Sequence, residues 1–232
     1  MAVPGTIPTQ LSLDLPVRPA LQREDFLVAD ANAAAVGWID RWPAWPGPFL
    51  AIHGPAGCGK THLIHVWAAR SSAPIVDGST MRQGDVAALA RSRDIALDNA
   101  DRLTDERALF HLYNLVAEQR GTLLLSARRP PTQWSVTLPD LRSRLGAVQS
   151  VDVSAPDDAL FAAVLVKLFS ERQLPVGAEV IDYLVARLER SFAAARDGVA
   201  AIDRQSLAER RAVTVPFLSK ILDTLPAGQA LE

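Results

Sequence analysis

The chain has 232 residues, of which 49% are hydrophobic, and its formal net charge is −2. This length and composition predict a globular protein with one medium domain and a smaller appendage. The charge argues against a dedicated duplex-binding protein, because phosphate affinity needs clustered Lys and Arg. No apolar stretch reaches the roughly 18 residues that span a bilayer, and residues 1–10 lack the basic start and apolar core of a secretion leader. We therefore expect a cytoplasmic protein with no membrane partner.

Two regions with different patterns follow a proline-rich start. Residues 1–20 contain four prolines, which predicts a flexible tail. In residues 21–154 apolar runs alternate with amphipathic segments, which predicts an α/β base with a parallel sheet. The predicted strands are 49–53, 74–77, 95–98, 122–126 and 149–153. One predicted helix begins at Lys60, a second lies around residues 84–90, and a third follows Thr104 as its N-cap.

Only helical patterns remain after Ser154. Ser154 and Pro156 predict a helix start, and apolar stripes recur at spacings of three and four residues up to a last short helix after Thr214. Residues 155–232 are therefore predicted to form a small all-helical lid beside the base.

Residues 54–61 form a complete G-x-x-x-x-G-K-[ST] phosphate loop directly after the first predicted strand. Its glycines allow a tight turn whose N–H groups point at phosphate, while Lys60 supplies a positive charge and Thr61 a metal-binding hydroxyl. Cys58 is the only cysteine of the chain, which excludes an internal disulfide, and we interpret it as a small filler of the loop. The predicted nucleotide-binding residues here are Gly54, Pro55, Ala56, Gly57, Cys58, Gly59, Lys60, Thr61 and His62.

A phosphate loop is expected to have an acidic partner residue at the end of a neighbouring strand. Asp98 ends the third predicted strand, so Thr61 and Asp98 are predicted to hold the shell of a Mg²⁺ ion. Asn99 follows, at the position where a hydrolytic enzyme usually places a carboxylate to orient water. Because Asn cannot accept a proton, we predict a chain that binds ATP or ADP but turns it over slowly.

These motifs occur in a familiar order. The phosphate loop, Leu97-Asp98-Asn99, the strand 123–126, the Leu-Arg-Ser-Arg-Leu segment 141–145 and the helical lid together resemble the AAA+ module of the bacterial replication initiator DnaA. The chain resembles the Hda family, the initiator's shorter regulatory homologues, more closely, over about residues 8–223. The resemblance implies an AAA+ P-loop base and a helical lid. The initiator continues into a helix-turn-helix domain that reads DNA, which we expect this chain to lack.

The resemblance also implies roles for single residues. Arg144 occupies the position of the arginine finger, which reaches into a neighbour's ATP site and stabilises transition-state charge. Arg190 occupies the position of a lid arginine that senses nucleotide, with Arg187 and Arg196 as alternatives. Ser126 lies where a polar strand tip contacts the γ-phosphate, and Arg128 replaces an acidic residue of the relatives, which leaves the local chemistry open.

The tail contains Gln10-Leu11-Ser12-Leu13-Asp14-Leu15. This hexapeptide resembles the segment by which Hda proteins dock into the apolar pocket of the β sliding clamp of DNA polymerase III. Its alternating leucines also fit an ordinary edge strand.

The resulting hypothesis is a clamp-tethered regulator that promotes hydrolysis of DnaA-bound ATP and so limits replication initiation. DNA would be contacted only through the clamp, in the nucleoid, and a homodimer is an open alternative. Other interpretations are an autonomous ATPase using Asp101 or Glu106, a DnaA-like DNA-binding factor and a small-molecule kinase. A tryptophan cluster before the first strand is either a contact surface or core packing: Trp38, Trp42 and Trp45.

Overall fold

The computed structural model describes residues 27–222, and the clamp-like segment 10–15 lies outside them. A sheet of five parallel strands forms the centre, in the order β2-β3-β4-β1-β5. The strands are β1 Phe49–His53, β2 Ile75–Asp77, β3 Asp94–Asp98, β4 Thr122–Ala127 and β5 Gln149–Asp152. The parallel sheet predicted from the sequence is confirmed.

The three central strands are apolar because both faces of the sheet are covered. Phe49 and Ala51 of β1 contribute to one apolar cluster, whereas Leu50 and Ile52 contribute to the cluster on the opposite face. This alternation follows from the two-residue period of a strand. β1 pairs with β4 on one side and with the edge strand β5 on the other, so the loop that follows β1 begins between these two strands.

Among residues 27–222, five α-helices belong to the base: α1 Asp30–Arg41, α2 Lys60–Ser71, α3 Gln83–Leu89, α4 Glu106–Glu118 and α5 Pro139–Gly146. The N-cap of α4 is Asp105, whose carboxylate accepts a hydrogen bond from the N–H of Ala108. The prediction of Thr104 as the cap was therefore wrong by one residue. Helices α1 and α5 were not predicted from the sequence.

The lid contains α6 Asp158–Glu171, α7 Ala178–Val185, α8 Phe192–Glu209 and α9 Val215–Leu222. Asp157 caps α6 by accepting from the N–H of Leu160, so the predicted start at Ser154 was wrong. Ser154 instead donates its hydroxyl hydrogen to Asp152. The four helices enclose their own apolar cluster, which includes the fully buried Phe161, Phe169 and Phe217.

The tryptophans before β1 pack on the base. Trp45 stacks on the buried Trp67 of α2 at 5.7 Å between ring centroids, and Trp42 meets the same ring edge-on at 5.9 Å. The indole N–H of Trp42 donates to the hydroxyl of Thr122 at 3.0 Å. Trp38 is half-buried against the same cluster. The core-packing interpretation accounts for these contacts.

The carboxyl ends of all five strands meet at one edge of the sheet, which is where ligands bind in open α/β folds. Within residues 27–222, no helix combines the length and the apolar character needed to cross a membrane.

Candidate functional site

The phosphate loop follows β1 and turns with three glycines in backbone conformations that other residues avoid. Gly54, Gly57 and Gly59 have φ angles of 155°, 71° and 103°. A Cβ on Gly54 would lie 2.0 Å from the carbonyl oxygen of Val153, so close approach to the neighbouring chain segment also requires glycine here. The sequence therefore builds the compact loop from which α2 starts.

Lys60, the first residue of α2, is buried together with its charge. Its Nζ donates to the carbonyl oxygens of Gly54 at 2.9 Å and Pro55 at 2.7 Å. Among the described residues no carboxylate forms an ion pair with Lys60, so the buried ammonium lacks a compensating anion. A buried cation at a helix N-terminus is an environment that fits a phosphate group.

Thr61 and Asp98 come together from two elements. The Thr61 hydroxyl donates to Oδ2 of Asp98 at 2.9 Å. The other oxygen, Oδ1, accepts from the Ser126 hydroxyl and from the N–H of Asn99, the latter at 3.1 Å. Asp98, although almost fully buried, is thus oriented by three donors, and a hydroxyl beside a carboxylate is an oxygen set that suits the water shell of Mg²⁺.

Asn99 is directed away from the phosphate loop. It adopts a left-handed φ of 53°, and its side-chain amide donates to Oδ2 of Asp77 at 2.8 Å. Desolvation opposes ionisation of Asp77, but hydrogen bonds from Ser79 and Asn99 outweigh it and hold the pKa of this carboxyl below its ordinary value. Asn99 therefore stabilises the end of β2, a role that the sequence analysis did not predict.

The lid rests directly on the phosphate loop. The N–H of Phe192, at the start of α8, donates to the carbonyl oxygen of Gly57 at 2.7 Å. A Cβ added to Gly57 would lie 2.5 Å from Cβ of Ser191. Ser191 also caps α8 by accepting from the N–H of Ala194 at 3.0 Å. Sequence reasoning missed this contact because it joins residues more than 130 positions apart.

Arg190 lies just before α8, which begins at Phe192. Its guanidinium forms an ion pair with Asp158 and donates to the carbonyl of Val185 at 2.9 Å. The pair lowers the pKa of the Asp158 carboxyl. Of the alternative lid arginines, Arg187 lies 3.7 Å from the Tyr183 ring centroid, and Arg196 is exposed on α8. A nucleotide contact by any of them stays a prediction.

Cys58 is buried inside the loop, with Sγ 3.6 Å from Nζ of Lys60. Burial raises the pKa of its thiol, although the neighbouring Lys60 opposes this shift. The thiol is thus protonated at neutral pH, as expected of a small filler. Pro55 and Ala56 are exposed at the tip of the loop, whereas His62 is half-buried in α2.

Arg144 lies far along the chain from the phosphate loop, in the last turn of α5. Its Cζ lies 5.0 Å from the ring centroid of Phe110 and 5.4 Å from that of Tyr113, both on α4. The other arginine of the segment, Arg142, donates to the carbonyl of Val136. Within residues 27–222, Arg144 makes no ion pair and donates no hydrogen bond.

Arg128, at the end of β4, is held by its backbone. Its N–H donates to Oδ2 of Asp101 at 2.9 Å, and its side chain is exposed. This contact ties the loop after β4 to the loop after β3.

The architecture matches solved structures of known proteins. Domain III of the Thermotoga maritima replication initiation protein DnaA aligns with a TM-score of 0.75 at 16% identity, over 90% of this chain and 98% of that domain. A replication initiator DnaA bound to AMPPCP and single-stranded DNA aligns at 0.66 and 19% identity, over 80% of this chain and 65% of that one. The Thermotoga maritima RuvB branch migration motor aligns at 0.67 and 17% identity, over 84% and 67%.

Two sequence comparisons bear on the chain, one on the lid alone and one on a longer segment. Residues 158–222 match the family model described as Hda, lid domain. An uncharacterized protein of Haemophilus influenzae is 29% identical over 189 residues, which are 76% of this chain and 82% of the relative.

The parallel sheet, the phosphate loop after β1 and the helical lid define an AAA+ P-loop protein with the fold of the initiator's nucleotide-binding module. The lid, residues 158–222, is similar to that of the Hda family, which is the particular kind of AAA+ protein that this chain resembles.

Proposed function

We propose that this protein is a sliding-clamp-tethered regulator that promotes hydrolysis of ATP bound to DnaA and so limits initiation of chromosome replication. Arg144 carries the proposal, because it is a half-exposed arginine with no carboxylate or carbonyl partner among the described residues. An arginine finger given in trans stabilises the charge that develops on the transferred phosphoryl group. The Hda-type lid and the DnaA-like fold support DnaA as the partner.

Weak turnover of the chain's own nucleotide follows from the carboxylates near the loop. Asn99 donates its amide to Asp77. Asp101 accepts from the N–H of Arg128, and Glu106 accepts from Thr137 and Leu138 with both oxygens. Glu106 is therefore engaged in loop structure with both oxygens, whereas Asp101 is held by one oxygen only and its buried Oδ1 has no hydrogen-bond partner among the described residues. The amide at position 99 and the engagement of Glu106 favour a regulator over an autonomous ATPase.

The chain's own site is proposed to bind ADP or ATP with Mg²⁺. Lys60 would hold the phosphates, while Thr61 and Asp98 would hold the metal's water shell. Mg²⁺ supplies charge neutralisation at the phosphates when it is bound. Since Phe192 binds the same loop, the nucleotide would fix the lid against the base and so shape the surface offered to DnaA.

Residues 10–15 are proposed to bind the β sliding clamp of DNA polymerase III. A short apolar peptide in a groove is a recurring recognition mode in which Gln10 bonds at the rim while leucines fill the pocket. This tether would place the protein in the nucleoid and bring it to DNA only through the clamp. Homodimer formation is an accompanying proposal that a sedimentation measurement addresses.

The test is hydrolysis of ATP prebound to purified DnaA, with and without clamp loaded on DNA. We expect the intact protein to accelerate hydrolysis when loaded clamp is present, and the Gln10→Ala/Leu11→Ala variant to lose that dependence. A protein that hydrolyses ATP alone and leaves DnaA-bound ATP unchanged would replace the proposal with the autonomous ATPase. Salt-sensitive DNA binding without clamp would replace it with a DnaA-like DNA-binding factor.

A further inference from the structure

Arg144 lies over an aromatic platform formed by Phe110 and Tyr113. These two residues are three positions apart on α4, so their rings share one face of the helix. The guanidinium carbon lies 5.0 Å and 5.4 Å from their ring centroids, within the range of a cation–π interaction. Helix α4 provides the aromatic platform, and helix α5 provides the arginine.

The hydrophobic core fixes both sides of this contact. Tyr113 stacks on Phe49 with 3.8 Å between centroids and 18° between ring planes, and Phe49 is buried at the start of β1. On α5, Leu141 and Leu145 are fully buried in the same cluster. Burial of these leucines fixes the rotation of α5 about its axis. Arg144 therefore faces the rings on α4.

An aromatic ring face binds an arginine in a different way than a carboxylate does. A carboxylate would neutralise the charge and occupy two of the five N–H donors, whereas a π face attracts the charge and leaves the donors in the plane free. Burial raises the pKa of the Tyr113 hydroxyl, with Arg144 opposing this shift, so the ring stays uncharged at neutral pH. The platform thus pre-orders the guanidinium without using its hydrogen-bonding capacity.

We propose that Tyr113 is a positioning residue that holds Arg144 ready for the phosphates of a neighbouring subunit's nucleotide. This inference rests on the proposed function of Arg144 as an arginine finger. Ordering the side chain before association lowers the entropic cost of placing it at the reacting phosphoryl group. The aromatic face is the required property, and the hydroxyl is not.

The experiment measures single-turnover hydrolysis of DnaA-bound ATP over a range of regulator concentrations, with loaded clamp. We expect Tyr113→Leu to lower the rate at saturation by about fivefold, the scale of one lost cation–π contact, with the half-saturating concentration unchanged within about twofold. Tyr113→Phe should retain the native rate. A loss of saturating rate in Tyr113→Phe equal to that in Tyr113→Leu would overturn the aromatic-face mechanism.

A double-mutant cycle with Arg144→Ala separates positioning from general damage. In the Arg144→Ala background Tyr113→Leu should have no further effect, whereas an equal loss in both backgrounds would overturn the inference. Should Tyr113→Leu lower the melting temperature strongly, Tyr113→Met fills the space without a ring and serves in the same cycle. If Arg144→Ala alone leaves hydrolysis unchanged, the arginine-finger function fails. If Arg144→Ala abolishes the stimulated hydrolysis while Tyr113→Leu and Tyr113→Met behave as native, only the positioning role of Tyr113 fails.

Discussion

The N–H of Phe192 donates a 2.7 Å hydrogen bond to the carbonyl oxygen of Gly57, so the start of α8 lies on the phosphate loop. The same loop holds Lys60, whose buried ammonium has the environment of a phosphate-binding group. The lid contact and the proposed nucleotide contact therefore involve the same short loop. A change in nucleotide binding is expected to alter the position of the lid, and the reverse.

The first prediction concerns Gly57. Gly57→Ala places a Cβ 2.5 Å from Cβ of Ser191 and forces a non-glycine residue into a φ of 71°. The left-handed conformation alone costs about 1–2 kcal/mol, so we expect lower stability, a displaced lid and weaker ADP binding, measured by thermal unfolding and by titration with labelled ADP. Gly84→Ala is the control, since nothing lies within 4 Å of its Cβ in α3. Equal behaviour of the two variants would contradict a close lid contact.

The second prediction concerns the charge of Lys60. Lys60→Ala removes the buried ammonium that bonds to Gly54 and Pro55, and should abolish stabilisation by ADP. For the native protein, ADP at a hundredfold excess over its dissociation constant should add about 2.7 kcal/mol to the free energy of unfolding. Thermal shift with and without ADP measures both effects. An ADP shift in Lys60→Ala as large as in the native protein would remove Lys60 from the site.

The sequence allowed the sheet and the phosphate loop to be predicted because their signals are local. Strand runs, glycine spacing and Asp98 at a strand end each need only a few neighbouring residues. The cap of α4 differed by one position because Thr104 and Asp105 are both good caps, and tertiary contacts decide between them: the second carboxylate oxygen of Asp105 also accepts from Gln83.

Contacts between distant segments could not be predicted from one sequence. The sequence indicated only that Asn99 stands where a catalytic carboxylate is usual. Its hydrogen bond to Asp77 depends on β2 lying beside β3. The Phe192 contact with Gly57 depends on how the lid folds back, and the platform under Arg144 depends on how α4 packs on α5. A signal for the platform existed, since Phe110 and Tyr113 are spaced for one helix face.

The third prediction concerns Asn99→Asp. A new carboxylate would lie about 2.8 Å from Oδ2 of Asp77, so one of the two acids must bind a proton or repel the other. We expect a loss of about 1–2 kcal/mol in unfolding free energy at pH 7, which shrinks at pH 4 as the pair takes up a proton. Chemical denaturation at the two pH values measures this loss. No ATPase activity should appear, and rapid turnover by the variant would contradict the structural role of Asn99.

The fourth prediction is a pH dependence centred on Glu106. Desolvation opposes ionisation of Glu106, but hydrogen bonds from Thr137 and Leu138 outweigh it and hold the pKa of this carboxyl below its ordinary value. A depressed pKa means that the stabilisation is complete above the ordinary glutamate pKa of about 4.3 and is lost as the pH falls through the lower folded value. The unfolding free energies of Glu106→Gln and native protein should therefore differ at pH 7 and approach each other as the pH falls below the ordinary glutamate pKa. A difference that grows on acidification would contradict this linkage.

The measurement that tests the arginine finger most directly is single-turnover hydrolysis of ATP on DnaA, with loaded clamp and saturating Arg144→Ala. Arg91→Ala is the matched control, because it removes the same charge from an exposed position after α3. We predict that Arg144→Ala lowers the stimulated rate by about a thousandfold, the lower end of what an arginine finger contributes, while Arg91→Ala and the native protein agree. If Arg144→Ala stimulates hydrolysis as well as the native protein does, the regulator does not act through this arginine.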